Sequence, residues 1–203
     1  SPSEIAPRQV LKKIIKLLEE EDMEAVVAPE LEFYLCEQNL DPDLPLKTPI
    51  GKSGRRESGS RVFGIDAVNE FDTLTDDIYD YCEILKIGVD TLIHESGPSQ
   101  IEINLNHGDP LALADQAFMF KRAVRQVALK HGIHATFMAK PYQGHPGSSM
   151  HIHHNLISSK TKKNLFCNEE GHNSKTFFNF IGGLQTYLPD AMLFFAPYVN
   201  SYR

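Results

Sequence analysis

The sequence has 203 residues, of which 41% are hydrophobic and 23% are charged, as expected for a globular chain that can bury an apolar core. Its net charge of −7 argues against nucleic acid as a partner, and the chain has neither a signal-peptide pattern nor the roughly 18-residue apolar run of a membrane span. Cys36, Cys82 and Cys167 are odd in number and widely spaced, which predicts reduced thiols in a cytoplasmic protein rather than a disulfide framework.

The chain opens with a predicted helix and a predicted strand. Apolar residues recur at helical spacing between Arg8 and Glu20, which indicates an amphipathic helix. From Pro29 onward, polar and apolar residues alternate, which is typical of a strand with two different faces. The apolar face would hold Leu31, Phe33 and Leu35, and the polar face Glu30, Glu32 and Tyr34.

A long irregular segment runs from Asn39 to Ser60, and long loops inside compact domains are often lids or substrate flaps. After it, we predict a short strand over residues 62–65 and a helix from about Thr75 to near Gly88. The side chains predicted to be buried in that helix are Ile78, Tyr81, Cys82 and Leu85.

Residues 89–105 predict two strands joined by a Ser-Gly-Pro-Ser turn, with Glu95 at the end of the first strand. Alternation along the second strand places one set of residues toward the core and a polar set away from it. The core set is Ile101, Ile103 and Leu105, and the polar set is Gln100, Glu102 and Asn104. Carboxylates therefore again occupy the face opposite the aliphatic residues.

The second half of the chain begins with a long predicted helix, which starts at Asp109-Pro110, reaches His131 and is ended by Gly132. A strand is predicted over residues 133–139. Two helices rich in Phe and Leu, over residues 176–188 and 189–195, are predicted to lie in the core.

The stretch from His145 to Asn155 holds a Gly-Ser-Ser turn followed by a predicted strand. In a strand, His151, His153 and Asn155 would share one face. Two imidazoles and an amide on one face, directly after a glycine turn, predict a binding site rather than a structural histidine.

The candidate site residues all lie on polar faces of predicted strands, and they are Glu30, Glu32, Glu95, Glu102, His151 and His153. Four carboxylates that face one space repel each other unless cations lie between them. Oxygen-rich ligation with an imidazole suits Mg²⁺ or Mn²⁺ better than structural zinc, and several carboxylates suggest two or more ions that steer phosphate groups. A metal-dependent hydrolase is an alternative, although the sequence offers no nucleophile motif for it.

Five motifs, in this order, resemble the catalytic domain of the glutamine synthetase family. They are Pro29-Glu30-Leu31-Glu32-Phe33, His94-Glu95 with Gln100-Ile101-Glu102, residues 135–141, Gly147-Ser148-Ser149-Met150-His151-Ile152-His153, and Asn200-Ser201-Tyr202. Within the family, residues 27–30, 69–72, 90–95 and 181–185 look most like the γ-glutamylputrescine synthetases, the branch that uses polyamines.

The resemblance implies an α+β fold with a curved, mainly antiparallel β-sheet backed by helices. It also implies a reaction in which ATP phosphorylates the γ-carboxylate of glutamate and an amine attacks the γ-glutamyl phosphate. By position, Glu32, Glu95 and Glu102 match ligands of the metal on the glutamate and amine side, and Glu95 is the predicted catalytic residue. Glu30 and His151 match ligands of the metal at the ATP phosphates.

The resemblance assigns further residues to substrate and nucleotide. Gly147 matches a glycine whose backbone lies against glutamate, and Pro146 stands where an Asn is common. Asp90, His153 and Asn155 match nucleotide positions, although Asp90 replaces a common Glu and Asn155 a common Ser. Val62 stands where ammonia-using members carry a Tyr, which favours an alkyl amine such as putrescine.

The resemblance also implies an incomplete catalytic domain over residues 1–203, without the family's N-terminal β-grasp domain and without the C-terminal part of the catalytic domain. We therefore expect the fragment alone to be inactive, and the full-length protein to form homo-oligomeric rings. A glutamine synthetase that uses ammonia and a non-catalytic structural relative are the alternatives within the family.

Overall fold

The computed structural model describes residues 3–59 and 61–203, so Ser60, the last residue of the predicted long loop, lies outside the described residues. The helices are α1 (Pro7–Glu20), α2 (Ile65–Asn69), α3 (Asp72–Ile84), α4 (Pro110–Lys130) and α5 (Lys175–Phe195), followed by a 3₁₀ turn, Val199–Tyr202. The strands are β1 (Met23–Glu37), β2 (Val89–His94), β3 (Gln100–Leu105), β4 (Ile133–Thr136) and β5 (Met150–Ser158). The α+β class is therefore confirmed.

The strands form one sheet in the order β2-β3-β1-β4, and β5 also pairs with β1. β1 runs antiparallel to β3 and to β4, and β2 runs antiparallel to β3, which confirms the predicted hairpin. In the β1–β3 register, Glu32 lies opposite Glu102 and Glu30 lies opposite Asn104. The two carboxylate-bearing strands are therefore neighbours in the sheet.

The chain divides into two compact units. The sheet unit contains Pro29–Asn106 and Asp115–Ile152. Its core is formed by aliphatic and aromatic side chains of β1, β3, α3 and α4, among them Leu31, Phe33, Leu74, Ile78, Ile101, Ile103, Phe120 and Val124. Burying them on one side of the sheet is the main apolar contribution to its stability.

The α5 unit contains the described residues up to Ala28, together with His107–Ala114 and His153–Tyr202. Val27 and Gly108 exchange two backbone hydrogen bonds of 3.0 and 2.9 Å, and the Phe166 ring contacts Phe177 and Phe180. Among residues 3–59 and 61–203, no helix combines the length and apolar character needed to cross a membrane.

The polar face of the central strands is buried rather than open to solvent. Glu32, Tyr34, Gln100 and Glu102 are all buried. The turn at residues 146–149 covers this face, because Tyr34, Gln100 and Glu32 all hydrogen-bond to it. Period-two alternation assigns a residue to a face, but it carries no information about what lies on that face.

Three predicted elements are wrong in type or length. Residues 62–65 form no strand, because the backbone turns there with Phe63 at φ +58° and then enters the unpredicted helix α2. β4 ends at Thr136, three residues before the predicted end. α3 begins at Asp72, and two of its predicted core residues, Tyr81 and Leu85, are exposed.

The two helices predicted over residues 176–195 are one helix, α5, in which Pro189 is accommodated. Their predicted core role is wrong for this chain, since α5 has no buried residue and Phe178, Leu193 and Phe194 are largely exposed. The predicted starts and ends of α1 and α4 agree with the structure to within a residue, and Gly132 ends α4 with φ +75°.

Candidate metal and active site

Three strands bring a potential metal-binding group together in the sheet unit. Glu30 on β1, Glu102 on β3 and His151 on β5 each offer one ligand atom, and these atoms lie within 4.8 Å of one another. His151 Nδ1 is 3.4 Å from Glu30 Oε2 and 4.0 Å from Glu32 Oε1. Two carboxylates and an imidazole at this spacing can hold one hard divalent cation.

Glu32 lies beside this group and is held by three donors. Its Oε2 accepts hydrogen bonds from the Ser149 backbone N–H at 3.1 Å and from Gln100 Nε2 at 3.1 Å, and its Oε1 accepts from the Ser149 hydroxyl. Hydrogen bonds of this kind fix the direction of a carboxylate. Glu32 is therefore oriented before any ion binds.

Burial and the negative charges of the carboxylates raise the pKa values of two groups in this cluster. The pKa of Glu102 is raised by burial and then by the negative charges of Glu30, Glu95 and Glu32. Burial, followed by the charges of Glu32 and Glu95, raises the pKa of Tyr34 to about 12. A divalent cation among these groups would remove the repulsion, so the donor set fits Mg²⁺ or Mn²⁺.

Glu95 joins the same electrostatic cluster from the end of β2. Its backbone N–H donates to the Gln100 carbonyl at 2.9 Å, and its Oε2 accepts a 3.3 Å hydrogen bond from the Ser96 N–H. Its charge contributes to the raised pKa values of both Glu102 and Tyr34. All five predicted metal ligands thus belong to one neighbourhood of the sheet unit.

The turn at Pro146 and Gly147 is fixed against the same face. The Tyr34 hydroxyl donates to the Pro146 carbonyl at 2.7 Å, and Gln100 Nε2 donates to the Gly147 carbonyl at 3.0 Å. A Cβ added to Gly147 would lie 2.5 Å from the carbonyl oxygen of Ala139, so this close approach requires glycine. The predicted substrate residues thus adjoin the carboxylates through direct hydrogen bonds.

The predicted nucleotide residues are Asp90, His153 and Asn155. Asp90 is exposed on β2. His153 and Asn155 belong to the α5 unit, where Asn155 Oδ1 is buried without a hydrogen-bond partner among the described residues. A buried acceptor without a protein partner is suited to a donor on a ligand or a water. A nucleotide role for all three residues stays a prediction.

Alternation alone does not show which groups support the site. Besides Tyr34, Gln100 and Ser149, these include Glu57, whose Oε2 accepts from the Ser99 N–H at 2.6 Å and lies 2.9 Å from His94 Nε2. The other ring nitrogen of His94 is 2.8 Å from the Glu95 carbonyl oxygen. These contacts connect Glu57, in the long loop, to Glu95. The contacts of Glu57 join residues far apart in the sequence, so no local sequence pattern predicts them.

Replacing Gly97 with alanine is expected to destabilise the protein by roughly 1–3 kcal/mol, the range for overpacking. A Cβ at Gly97 would lie 1.8 Å from the buried Tyr34 hydroxyl oxygen, which cannot move without losing its bond to Pro146. Urea unfolding measures the loss. The control is Gly182→Ala on α5. A Cβ added there would meet no atom outside its own helix backbone within 4 Å, and alanine favours the helix. Equal losses of stability in both variants would contradict the prediction.

The geometry gives a carboxylate-rich group on an antiparallel sheet that could hold a metal ion, and comparison with known proteins assigns the family. The sequence profile described as "Glutamine synthetase, catalytic domain" matches residues 4–203. The chain therefore belongs to the glutamine synthetase family, as the motifs predicted.

Relatives within the family use different amines according to their names. The chain is 38% identical over 205 residues to "Gamma-glutamylputrescine synthetase PuuA" of Escherichia coli (strain K12), covering 100% of this chain and 43% of that protein. It is 36% identical over 197 residues to a "Glutamine synthetase" of Pyrococcus abyssi (strain GE5 / Orsay), with 97% and 42% covered. It is 30% identical over 214 residues to a "Glutamate--isopropylamine ligase" of Pseudomonas sp, with 100% and 44% covered.

Solved structures agree on the fold. The structure titled "Apo GmaS without ligand" superposes with a TM-score of 0.83 at 29% identity, covering 99% of this chain and 46% of that one. The chain thus spans less than half the length of the curated relatives and of the solved chain that it matches.

Proposed function

We propose that the protein in which this chain occurs is an ATP-dependent ligase that joins the γ-carboxylate of glutamate to an amine through γ-glutamyl phosphate. The observation that carries the proposal is the convergence of Glu30, Glu102 and His151, with Glu32 and Glu95 beside them, in a member of the glutamine synthetase family. On this proposal, residues 1–203 are part of a catalytic domain that functions within a longer, homo-oligomeric protein in the cytoplasm.

Each part of the cluster has a proposed task. Glu30 and His151 would hold Mg²⁺ or Mn²⁺ at the ATP phosphates, while Glu32, Glu95 and Glu102 would hold a second ion on the glutamate and amine side. Bound there, divalent ions supply charge neutralisation for the phosphates and for the charge that develops during transfer. Glu95, at the end of its strand, would also act directly at the reacting centre.

The remaining residues would position the substrates. Pro146 and Gly147 offer glutamate a backbone that is already fixed by Tyr34 and Gln100. Asp90, His153 and Asn155 would contact ATP. Rigid placement of reacting groups lowers the entropic part of the activation barrier. A turn that is already fixed would contribute in this way by holding glutamate in place.

The proposed amine is an alkyl amine, with putrescine favoured. Val62 and Phe63 form an exposed apolar turn, 42% and 72% exposed. The Phe63 N–H donates to the carbonyl of His94 at 2.9 Å, so the turn is anchored one residue before Glu95. Apolar side chains at this place suit the methylene groups of an amine. Ammonia is the second candidate, supported by the resemblance to the Pyrococcus glutamine synthetase.

Steady-state assays of the whole protein test the reaction and the amine. Glutamate-dependent ATP turnover is expected with putrescine at a kcat/KM at least about 10-fold above that with ammonium, with the γ-glutamyl amide identified by mass spectrometry. A preference for ammonium would favour the glutamine synthetase alternative. No turnover with any amine, together with no Mn²⁺ binding, would support the non-catalytic alternative.

A substitution in the turn tests its contact with the amine. Val62→Tyr is expected to lower kcat/KM for putrescine by roughly 10-fold and that for ammonium by much less, because the larger side chain fills space that the alkyl chain uses. Ile65→Tyr, at a neighbouring residue that is 77% exposed, is the control and should change neither value. Equal losses for both amines in Val62→Tyr would contradict a role in amine selection.

A further inference from the structure

The side chain of Gln100 is a buried amide at the start of β3. It is 1% exposed and lies opposite Tyr34 in the β1–β3 register. Burying an amide costs free energy unless its polar atoms find partners, and an apolar side chain of the same shape would avoid that cost. The contacts of the amide therefore indicate why this position holds glutamine.

The side chain of Gln100 makes three hydrogen bonds, each to a different segment of the chain. Its Oε1 accepts from the Gly97 N–H at 2.9 Å. Its Nε2 donates to Glu32 Oε2 at 3.1 Å and to the Gly147 carbonyl at 3.0 Å. This is the one amide orientation that complements all three neighbours, since two of them are acceptors and one is a donor.

The two donated bonds link different parts of the proposed active site. Glu32 is a proposed metal ligand, whereas Gly147 belongs to the turn proposed to lie against glutamate. Both N–H groups are on one planar amide, so a shift of the turn at Gly147 must tilt the group that holds the Glu32 carboxylate. The backbone bond from Glu32 N–H to the Ser149 carbonyl, at 3.1 Å, joins the same strand and turn independently.

We propose that Gln100 is a positioning residue that couples the glutamate-side turn at Gly147 to the metal-ligand carboxylate of Glu32. The roles of Glu32 as a metal ligand and of Gly147 beside glutamate rest on the proposed function. The link between these two residues rests on the hydrogen bonds alone. Both N–H groups of the Gln100 amide are used by Glu32 and Gly147. Its effect reaches the reaction through the two groups that it holds.

The test compares Gln100→Met with Gln116→Met in the whole protein. Methionine has nearly the shape of glutamine but donates no hydrogen bond. Gln116 is the matched control, because its Oε1 accepts from the Gly88 N–H at 3.3 Å, away from the carboxylate cluster. Both changes remove one partly or fully buried amide, so a purely structural role would give both the same kinetic outcome.

For Gln100→Met, KM for glutamate and the dissociation constant for Mn²⁺ are each expected to rise roughly 10- to 100-fold, as for other groups that orient metal ligands, while KM for ATP changes less than about 2-fold. Gln116→Met should leave all three constants unchanged. A folded Gln100→Met protein with wild-type KM for glutamate and wild-type Mn²⁺ affinity would overturn the coupling.

A second variant covers the case in which Gln100→Met does not fold. Gln100→Glu keeps the size of the side chain but replaces both donors with a negative charge beside Glu32, and it is expected to show the same joint loss of glutamate and Mn²⁺ binding. Failure of both variants to fold would assign Gln100 to the core alone and overturn the proposal. Calorimetric titration with Mn²⁺ needs no turnover, so a wild-type protein that binds Mn²⁺ without ligase activity counts against the proposed function and not against the coupling.

Discussion

Replacing Glu102 with glutamine is expected to make the metal-free protein more stable and to lower the proposed ligase activity of the whole protein at least about 100-fold. Glu102 is buried, and burial together with three neighbouring carboxylates raises its pKa. A neutral amide of the same shape ends that repulsion and can keep the side-chain hydrogen bond to Asn104. The expected gain is about 1 kcal/mol, or about 2–4 °C in Tm for a chain of this size.

The pH dependence of stability follows from the direction of this shift. A raised carboxyl pKa means that the folded state holds its proton more tightly than the unfolded chain does. The metal-free protein should therefore lose stability as pH rises from the ordinary pKa of glutamate through the raised pKa of Glu102. In Glu102→Gln this loss should be smaller, and urea unfolding at several pH values measures the difference.

Bound metal is expected to reverse the order of stability of the wild type and Glu102→Gln. Saturating Mn²⁺ should stabilise the wild type much more than Glu102→Gln, because a ligand that binds only the folded state stabilises it. Glu83→Gln, at an exposed position on α3, is the control and should change neither stability nor activity. A Glu102→Gln protein that is less stable than the metal-free wild type would show that the carboxylate makes favourable contacts that outweigh the repulsion.

His151→Ala is expected to weaken Mn²⁺ binding at least about 100-fold, with ligase activity falling in parallel. The His151 side chain is 60% exposed, so its removal should cost less than about 0.5 kcal/mol of metal-free stability, the usual range for surface changes. In the wild type, Mn²⁺ at 100 times its dissociation constant should add about 2.7 kcal/mol of stability. His151→Ala should lose most of that gain at the same concentration.

The control for His151 is His172→Ala, another exposed histidine, which lies 3.4 Å from Glu170 in the α5 unit. It should bind Mn²⁺ like the wild type. Thermal unfolding with and without Mn²⁺ measures both variants on one scale. Equal Mn²⁺ affinity in His151→Ala and the wild type would remove His151 from the metal site and leave the carboxylates alone to hold the ion.

Short sequence patterns correctly predicted the features that depend only on neighbouring residues in the chain. The alternation in β1 and β3 identified the apolar faces correctly, because side chains in a strand must alternate whatever surrounds it. Gly132 marked the end of α4, since it adopts the positive φ that ends many helices at low cost. The motifs identified the family, and the sheet brings three of the five predicted ligands within 4.8 Å of one another.

The wrong predictions concern features that tertiary contacts determine, such as backbone conformation and burial. Residues 62–65 have the composition of a strand, but their backbone is held by a hydrogen bond from Phe63 to His94 and turns instead. The aromatic content of α5 indicated a core helix, yet the side chains are exposed in this chain. The burial of Tyr34 and Gln100 depends on a turn more than forty positions away from either residue, which no local window contains.

The arrangement of the potential metal-binding group, Glu30, Glu102 and His151, has a consequence for folding kinetics. Its members come from β1, β3 and β5, so the unfolded chain holds them far apart and closes large loops when it assembles them. Glu32 and Glu102 also face each other in the β1–β3 register, where like charges oppose strand pairing. The pairing of β1 with β3 thus joins residues far apart in the sequence and is opposed by charge repulsion. Both properties slow the formation of the native sheet. Divalent ions present during refolding should lower this resistance only after β1 and β3 have met, and so should slow unfolding more than they speed folding.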